Sequence, residues 1–416
     1  MSNLTRLKVA LVAFLGLLLA LLIFTDLPDM GRSPVDAVFF VTTPADGGPG
    51  SLRSAIFGAD RATVQARIVL QTEFVELTTP LPPLINPEGI VLESEHQRTE
   101  LRVADLGPRP VLGDGAEGGV VRGVEIRDPA GLGILVRSER VQLERVTLVD
   151  CVTGVHVAAN VDRMVLLDSR LDDNETGVRI ESAGTGLRLE SNEFARNRTA
   201  IAAIAPRPGG LPLGGQPLRV KGNTFEEDQT GVLVSSLAAT IDQNRFARIG
   251  GTAIHVATST SRVLANQILD GRHTGILLDG TVGAAVIENE VGRNEAIGIH
   301  LRSARNSSVR TNHLYSNGYG ITTMYDQGTS PNVVADNLVV DHRHDGIVVL
   351  AGAPILRSNR VLRSGVAGIR LLDMTSADGP TVEAQPLLSD NTLSGNQADD
   401  PVRAVFDGGG RRDIDG

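Results

Sequence analysis

Nine asparagines recur at one position of a repeat in the second half of this chain: Asn192, Asn223, Asn244, Asn266, Asn289, Asn312, Asn337, Asn359 and Asn391. Three residues before each stands an aliphatic side chain (Leu189, Val220, Ile241, Val263, Val286, Val309, Val334, Leu356, Leu388), and eight or nine residues after all but the last comes a small residue followed by Ile or Val. The small residues form their own column, from Gly133, Gly154 and Gly177 through Ala200, Gly231, Ala253 and Gly275 to Gly298, Gly320, Gly346 and Gly368. Most successive members are 21 to 23 residues apart. A repeat this short cannot bury an apolar face alone and must stack on its neighbours, which leaves a β-solenoid or a leucine-rich repeat.

The units separate these two. A leucine-rich repeat would carry LxxLxL, whereas here they read Gly-aliphatic-x-aliphatic, as in Gly177-Val178-Arg179-Ile180 and Gly298-Ile299-His300-Leu301. Such short alternating runs are strands. Asn suits the corners between them because it tolerates left-handed backbone and its amide can bond to the same amide one coil away. The column therefore reads as a structural ladder.

From about residue 65 to 400 this pattern resembles the right-handed parallel β-helix repeat family, the pectate-lyase-like superfamily, and the stretch Val41 to Ile56 is similar to the lead-in of secreted β-helix proteins. The resemblance implies an all-β, right-handed parallel β-helix. It does not fix an activity, because this architecture hosts lyases, hydrolases, epimerases, adhesins and passive scaffolds. The Asn-Thr-Asp, paired Asp and Gly-His-Gly signature of polygalacturonases is absent, as is the Arg-x-Pro-x-x-Arg motif of pectate lyases.

Val9 to Phe24 is an uninterrupted apolar run preceded by Arg6 and Lys8. No Ala-x-Ala cleavage site follows, so an uncleaved transmembrane helix is expected, with the N-terminus in the cytoplasm and the β-helix in the periplasm or outside a bacterial cell. Residues 1–26 thus read as cytoplasmic stub and signal-anchor, 27–38 as linker, 39–64 as N-terminal cap, 65–400 as β-helix and 401–416 as a disordered tail. In the cap, Ser51 starts a short amphipathic helix in which Leu52, Ala55, Ile56 and Ala59 share a face that would cover the open end of the first coil.

A net charge of −10 disfavours nucleic acid as a partner. Cys151 is the only cysteine, so no intrachain disulfide forms and the stacked core must supply the stability. No metal site is assigned, and the sequence does not identify a cofactor.

The arm from each Asn to the next small residue keeps its length, whereas the return arm varies from 13 to 23 residues and carries insertions at 205–217, 324–331 and 373–386. Insertions sharing one side of a solenoid often border its binding surface. In each Gly-aliphatic-x-aliphatic strand the x residue points outward, giving His156, Arg179, Ala202, Leu233, His255, Leu277, His300, Thr322, Val348 and Arg370. Two residues on, the same face presents Asp279, Arg302 and Met324, and the 324–331 insertion adds Tyr325 and Asp326. His300 or Tyr325 as base with Arg302 as carboxylate neutraliser would suit β-elimination or epimerisation of a uronate, and Asp279 with Asp326 would suit glycoside hydrolysis. His255 and Arg370 are expected to bind substrate. The run Asp341-His342-Arg343-His344-Asp345 has the residue types of a metal site but sits where neighbouring repeats have a polar turn, and is expected to be an exposed charged turn.

The expected protein is a membrane-anchored β-helix that binds or remodels a cell-surface polysaccharide or another envelope component. The alternative is a non-catalytic scaffold or adhesin-like rod, roughly 50 Å long at strand spacing over its eleven small-residue positions.

Overall fold

The computed structural model describes residues 37–406 apart from 105–106, 108, 128–129, 182–183, 205–216, 327–329 and 376–380. The apolar run Val9 to Phe24 lies outside the described residues, and among these no helix is long and apolar enough to cross a membrane.

Three parallel sheets run the length of a right-handed solenoid of about 12 turns. Among the described residues sheet A has 15 strands, from Ala37–Val41 to Leu387–Ser389, and sheet B has 14, from Phe74–Leu77 to Thr392–Ser394. Sheet C also has 14, from Pro110–Asp114 to Ile369–Thr375 with two additions at its end. Each strand pairs with its counterpart one coil away, so Val263 sits beside Val286 and Val286 beside Val309. All three are fully buried, as the sequence register requires.

The corners explain the repeat. Every Asn of the column follows a residue with left-handed backbone: Ser191, Gln243, Ala265, Glu288, Thr311, Asp336, Ser358 and Asp390 at φ between 50° and 59°, and Gly222 at 64°. This corrects the role expected of the Asn itself. The residue before it turns the chain, at a cost of roughly 1–2 kcal/mol for a non-glycine, and the Asn behind it supplies the bonds that hold the turn. Asn289 is representative: Nδ2 donates to Val263 O and Asn312 Oδ1, while Oδ1 accepts from the backbone and side-chain amides of Asn266, all at 2.9–3.0 Å.

A second ladder runs between sheets B and C through Asn174, Asn197 and Asp228, and again through Asn294, Asn317 and His342. Cys151 occupies its start, buried, with its backbone N–H donating to Asn174 Oδ1. The small-residue column follows from close approach. A Cβ on Gly133 or Gly177 would lie 2.6 Å from the carbonyl oxygen of the equivalent residue one coil on.

The capping helix, α1 (Leu52–Asp60), forms as expected, with the Ser51 side chain accepting from the Ser54 N–H and Leu52, Ala55, Ile56 and Ala59 buried. The terminal boundaries differ from the sequence reading. Ala37–Val41, straddling the expected linker and cap, is already the first strand of sheet A. Val402–Phe406, assigned to a tail, adds a parallel strand to Ile369–Thr375, because the preceding coil leaves that edge unpaired. Thr381–Val382, inside the 373–386 insertion, folds back antiparallel on Met374 and Thr375.

Candidate functional site: the outer face of sheet C

Strand pairing places the outward residues in the register expected: His255 neighbours Leu277, Leu277 neighbours His300, and the column continues through Thr322 and Val348 to Arg370. A second column holds Asp279, Arg302, Met324 and Leu350 side by side.

The first group on this face is His255, Asp279 and Arg302. Arg302 grips Asp279 with both Nε and Nη2, at 3.0 and 2.8 Å, and His255 Nε2 stands 3.6 Å from Asp279 Oδ2. The Arg302 hydrogen bonds hold the Asp279 carboxyl below the usual carboxylate range, and burial pushes the His255 imidazole below its ordinary value. At neutral pH the group is therefore a carboxylate, a guanidinium and a neutral imidazole. An Asp held in its charged form is unsuited to act as a general acid.

His300 does not join them on the open surface. It is 5% exposed, with Nε2 3.0 Å from Met324 Sδ. Thr322 and Val348 beside it are buried as well, so this stretch of the outward column is a covered layer rather than the solvated face that alternation alone predicts. Met324, Val348, Leu350, Ala351 and Leu372 form a small apolar cluster outside the main core. Tyr325 is at the surface, 36% exposed, because its left-handed backbone (φ 57°) turns it out of the strand's alternation. Asp326 pairs with Gly352 through its backbone, and its side chain lies outside what is described.

Arg370 lies on the third strand beyond His300 and belongs to a different group. Its Nε donates to Asp345 Oδ2 at 2.8 Å, and Asp345, almost fully buried, accepts the Ala367 N–H on Oδ1 at 2.9 Å. The Tyr319 and His344 rings meet at 4.8 Å between centroids. With Val348, Val366 and Leu372 these residues enclose a pocket of ≈220 Å³. Tyr319, His344 and Asp345 were not singled out with Arg370 in the sequence. The available signal was the column three residues before His300, in which Ile297 pairs with Tyr319.

The run from Asp341 to Asp345 is an exposed turn only in part: Asp341, Arg343 and His344 are exposed, whereas His342 and Asp345 are buried. Asp341 carries the left-handed corner and binds Arg363, His342 is buried in the second ladder, and Arg343 donates to the Glu295 carbonyl. His344 and Asp345 line the pocket. Side chains of one metal-like motif thus point to different sides of the backbone, and among the described residues no group of three or more His, Cys, Asp or Glu is placed to hold a metal ion.

The coils and their right-handed, all-parallel stacking make this a right-handed parallel β-helix protein, and residues 230–393 match the family described as "Right handed beta helix region". Among solved structures, the catalytic unit of a thermostable alpha-1,3-glucanase from Streptomyces thermodiastaticus matches with TM-score 0.52 at 12% identity, over 88% of this chain and 69% of that one. A mannuronan C-5 epimerase A-module from Azotobacter vinelandii matches with TM-score 0.47 at 12% identity, over 89% and 99%. The Dettilon tailspike protein matches with TM-score 0.48 at 14% identity, over 88% and 68%. At 12% identity the match to the glucanase establishes a shared fold and nothing finer. No curated protein matches the sequence.

Proposed function

We propose that the protein is a membrane-anchored, extracytoplasmic β-helix that binds or remodels a bacterial cell-surface polysaccharide along the outer face of sheet C. The observation that carries this reading is the Asp279–Arg302–His255 group, which places an acceptor, a cation and a neutral imidazole within three successive coils of one face. Long parallel faces suit polymers, and the alpha-1,3-glucanase with the same fold supports a glycan as the ligand class. Tyr325 at the margin adds an aromatic surface in a chain with 3% aromatic residues.

The alternative, a non-catalytic rod, has one specific observation in its favour. His300, one of the two residues expected to act as base, is buried against Met324. A panel of uronate and neutral glycans separates the readings. On the polysaccharide reading Arg302→Ala lowers affinity at least tenfold, about 1.4 kcal/mol, while Arg179→Ala, five strands away in sheet C, has little effect. Equal losses at the two positions would indicate an extended charged surface, and absence of any glycan binding would leave the rod.

A further inference from the structure

Arg370 differs from the other arginines of this face in how its charge is used. Arg302 spends Nε and Nη2 on a partly exposed Asp279, and Arg179 spends Nε and Nη2 on Glu181. Among the described residues Arg370 is held through Nε alone, by a carboxylate that is itself buried and anchored by the Ala367 amide. A guanidinium carries five N–H donors in a rigid fork. Fixing it through Nε orients the two terminal nitrogens without consuming them, and its side chain retains 22% exposure at the pocket. Both oxygens of Asp345 are engaged by the protein, so the charged group whose donors face a visitor is the Arg370 guanidinium, with the Tyr319 hydroxyl and the His344 imidazole as neutral polar groups beside it. The remaining wall is the Tyr319 and His344 ring pair with Val348 and Leu372, ring faces and aliphatic side chains of the kind that meet the C–H face of a sugar ring.

We propose that this pocket binds an anionic substituent, a carboxylate or a phosphate, carried on a pyranose ring, with the terminal nitrogens of Arg370 gripping the anion and the ring lying on the apolar wall. The site rests on the polysaccharide reading and specifies one residue of that polymer. Planar bidentate recognition of an anion is what the guanidinium fork supplies and an ammonium does not.

The test uses the full chain, in detergent, titrated by NMR with methyl glucuronide, glucose 6-phosphate and methyl glucoside. One of the two anionic probes should bind at least tenfold more tightly than the neutral glucoside, and which one does so identifies the anion. Arg370→Lys keeps a cation beside Asp345 but loses the fork, and should abolish that preference. Val366→Trp fills the pocket while keeping both members of the ion pair and should remove binding of all three, so the inference stays testable if Arg370→Lys does not fold. Equal affinity for the three probes in the unaltered chain, or unchanged preference in a folded Arg370→Lys variant, overturns the pocket. If the protein still retains polymers from the glycan panel in that case, the polysaccharide reading survives it. If it retains neither probes nor polymers, both fall.

Discussion

Asn289 shows how one side chain holds a corner. Its amide makes four contacts to the coils on either side while Glu288 before it bears the left-handed strain. Asn289→Ala should cost about 1–3 kcal/mol in chemical denaturation, because it strands buried donors and acceptors on both neighbours. Asn391→Ala, at the partly buried end of the ladder, should cost less. The second ladder contains a weaker rung. Asp228 Oδ1 accepts from both amides of Asn197, but Oδ2 has no hydrogen-bond partner among the described residues, and burial pushes its carboxyl up to about 7. An unfolded Asp titrates near 3.9. The folded chain therefore keeps a proton that the unfolded chain has released, and Asp228's contribution is fully present below about pH 4 and lost as pH rises through about 7. Asp114, also raised to about 7, acts in the same direction. His342, pushed down to about 4 by burial, acts in the opposite one: its contribution is present above about pH 6.5 and lost as pH falls through about 4. Asp228→Asn restores the ladder's own residue. It should leave stability nearly unchanged at pH 4 and raise it by about 1–3 kcal/mol at pH 8, read from melting at the two pH values. An equal effect at both would show that the carboxyl does not titrate in this window.

At the scale of elements, sheet B contributes the largest fully buried side chains of the core. Phe194, Phe225 and Phe246 stack face to face on successive strands, with centroids 4.9 and 4.4 Å apart. Phe225 is fully buried between the other two, so Phe225→Ala should cost about 3–5 kcal/mol. Phe225→Leu should cost much less, because Leu171 and Ile268 fill the equivalent positions on the strands that flank the stack. A thermal-shift comparison of the two variants checks this. If they lose the same stability, the rings contribute by stacking geometry rather than by filled volume. The stack was present in the sequence as three phenylalanines two residues after the ladder asparagines, Asn192, Asn223 and Asn244. Its significance depends on register, which brings the same face of each coil together at strand spacing.

For the whole molecule, the solenoid is closed at one end by α1, while its far end leaves Leu387 62% and Leu388 36% exposed. Anchoring is a separate proposal, resting on Arg6 and Lys8 before the apolar run Val9 to Phe24. In a Gram-negative host, a C-terminal reporter that works only in the periplasm should be active, and the protein should stay with the membrane at high salt. Release at high salt with a new N-terminus near Ala37 would mean that the segment is a cleaved signal. The period, the Asn column and the inward aliphatic register were legible in the sequence because each is a local regularity that stacking repeats coil after coil. The second ladder was harder to see, since Cys, Asp, His and Ser stand at some of its rungs: Asp228 and His342 accept a corner N–H with their side chains, whereas Cys151 and Ser364 join through their backbone N–H. Alternation correctly put His300, Thr322 and Val348 on the outside of the strand, but whether an outward side chain meets water depends on what lies over it. Only the tertiary structure decided that His300 is buried against Met324 while Arg370, three strands on, opens into a pocket with Tyr319 and His344. Side-chain direction is set within one strand, whereas exposure is set by residues one to several coils away in the chain.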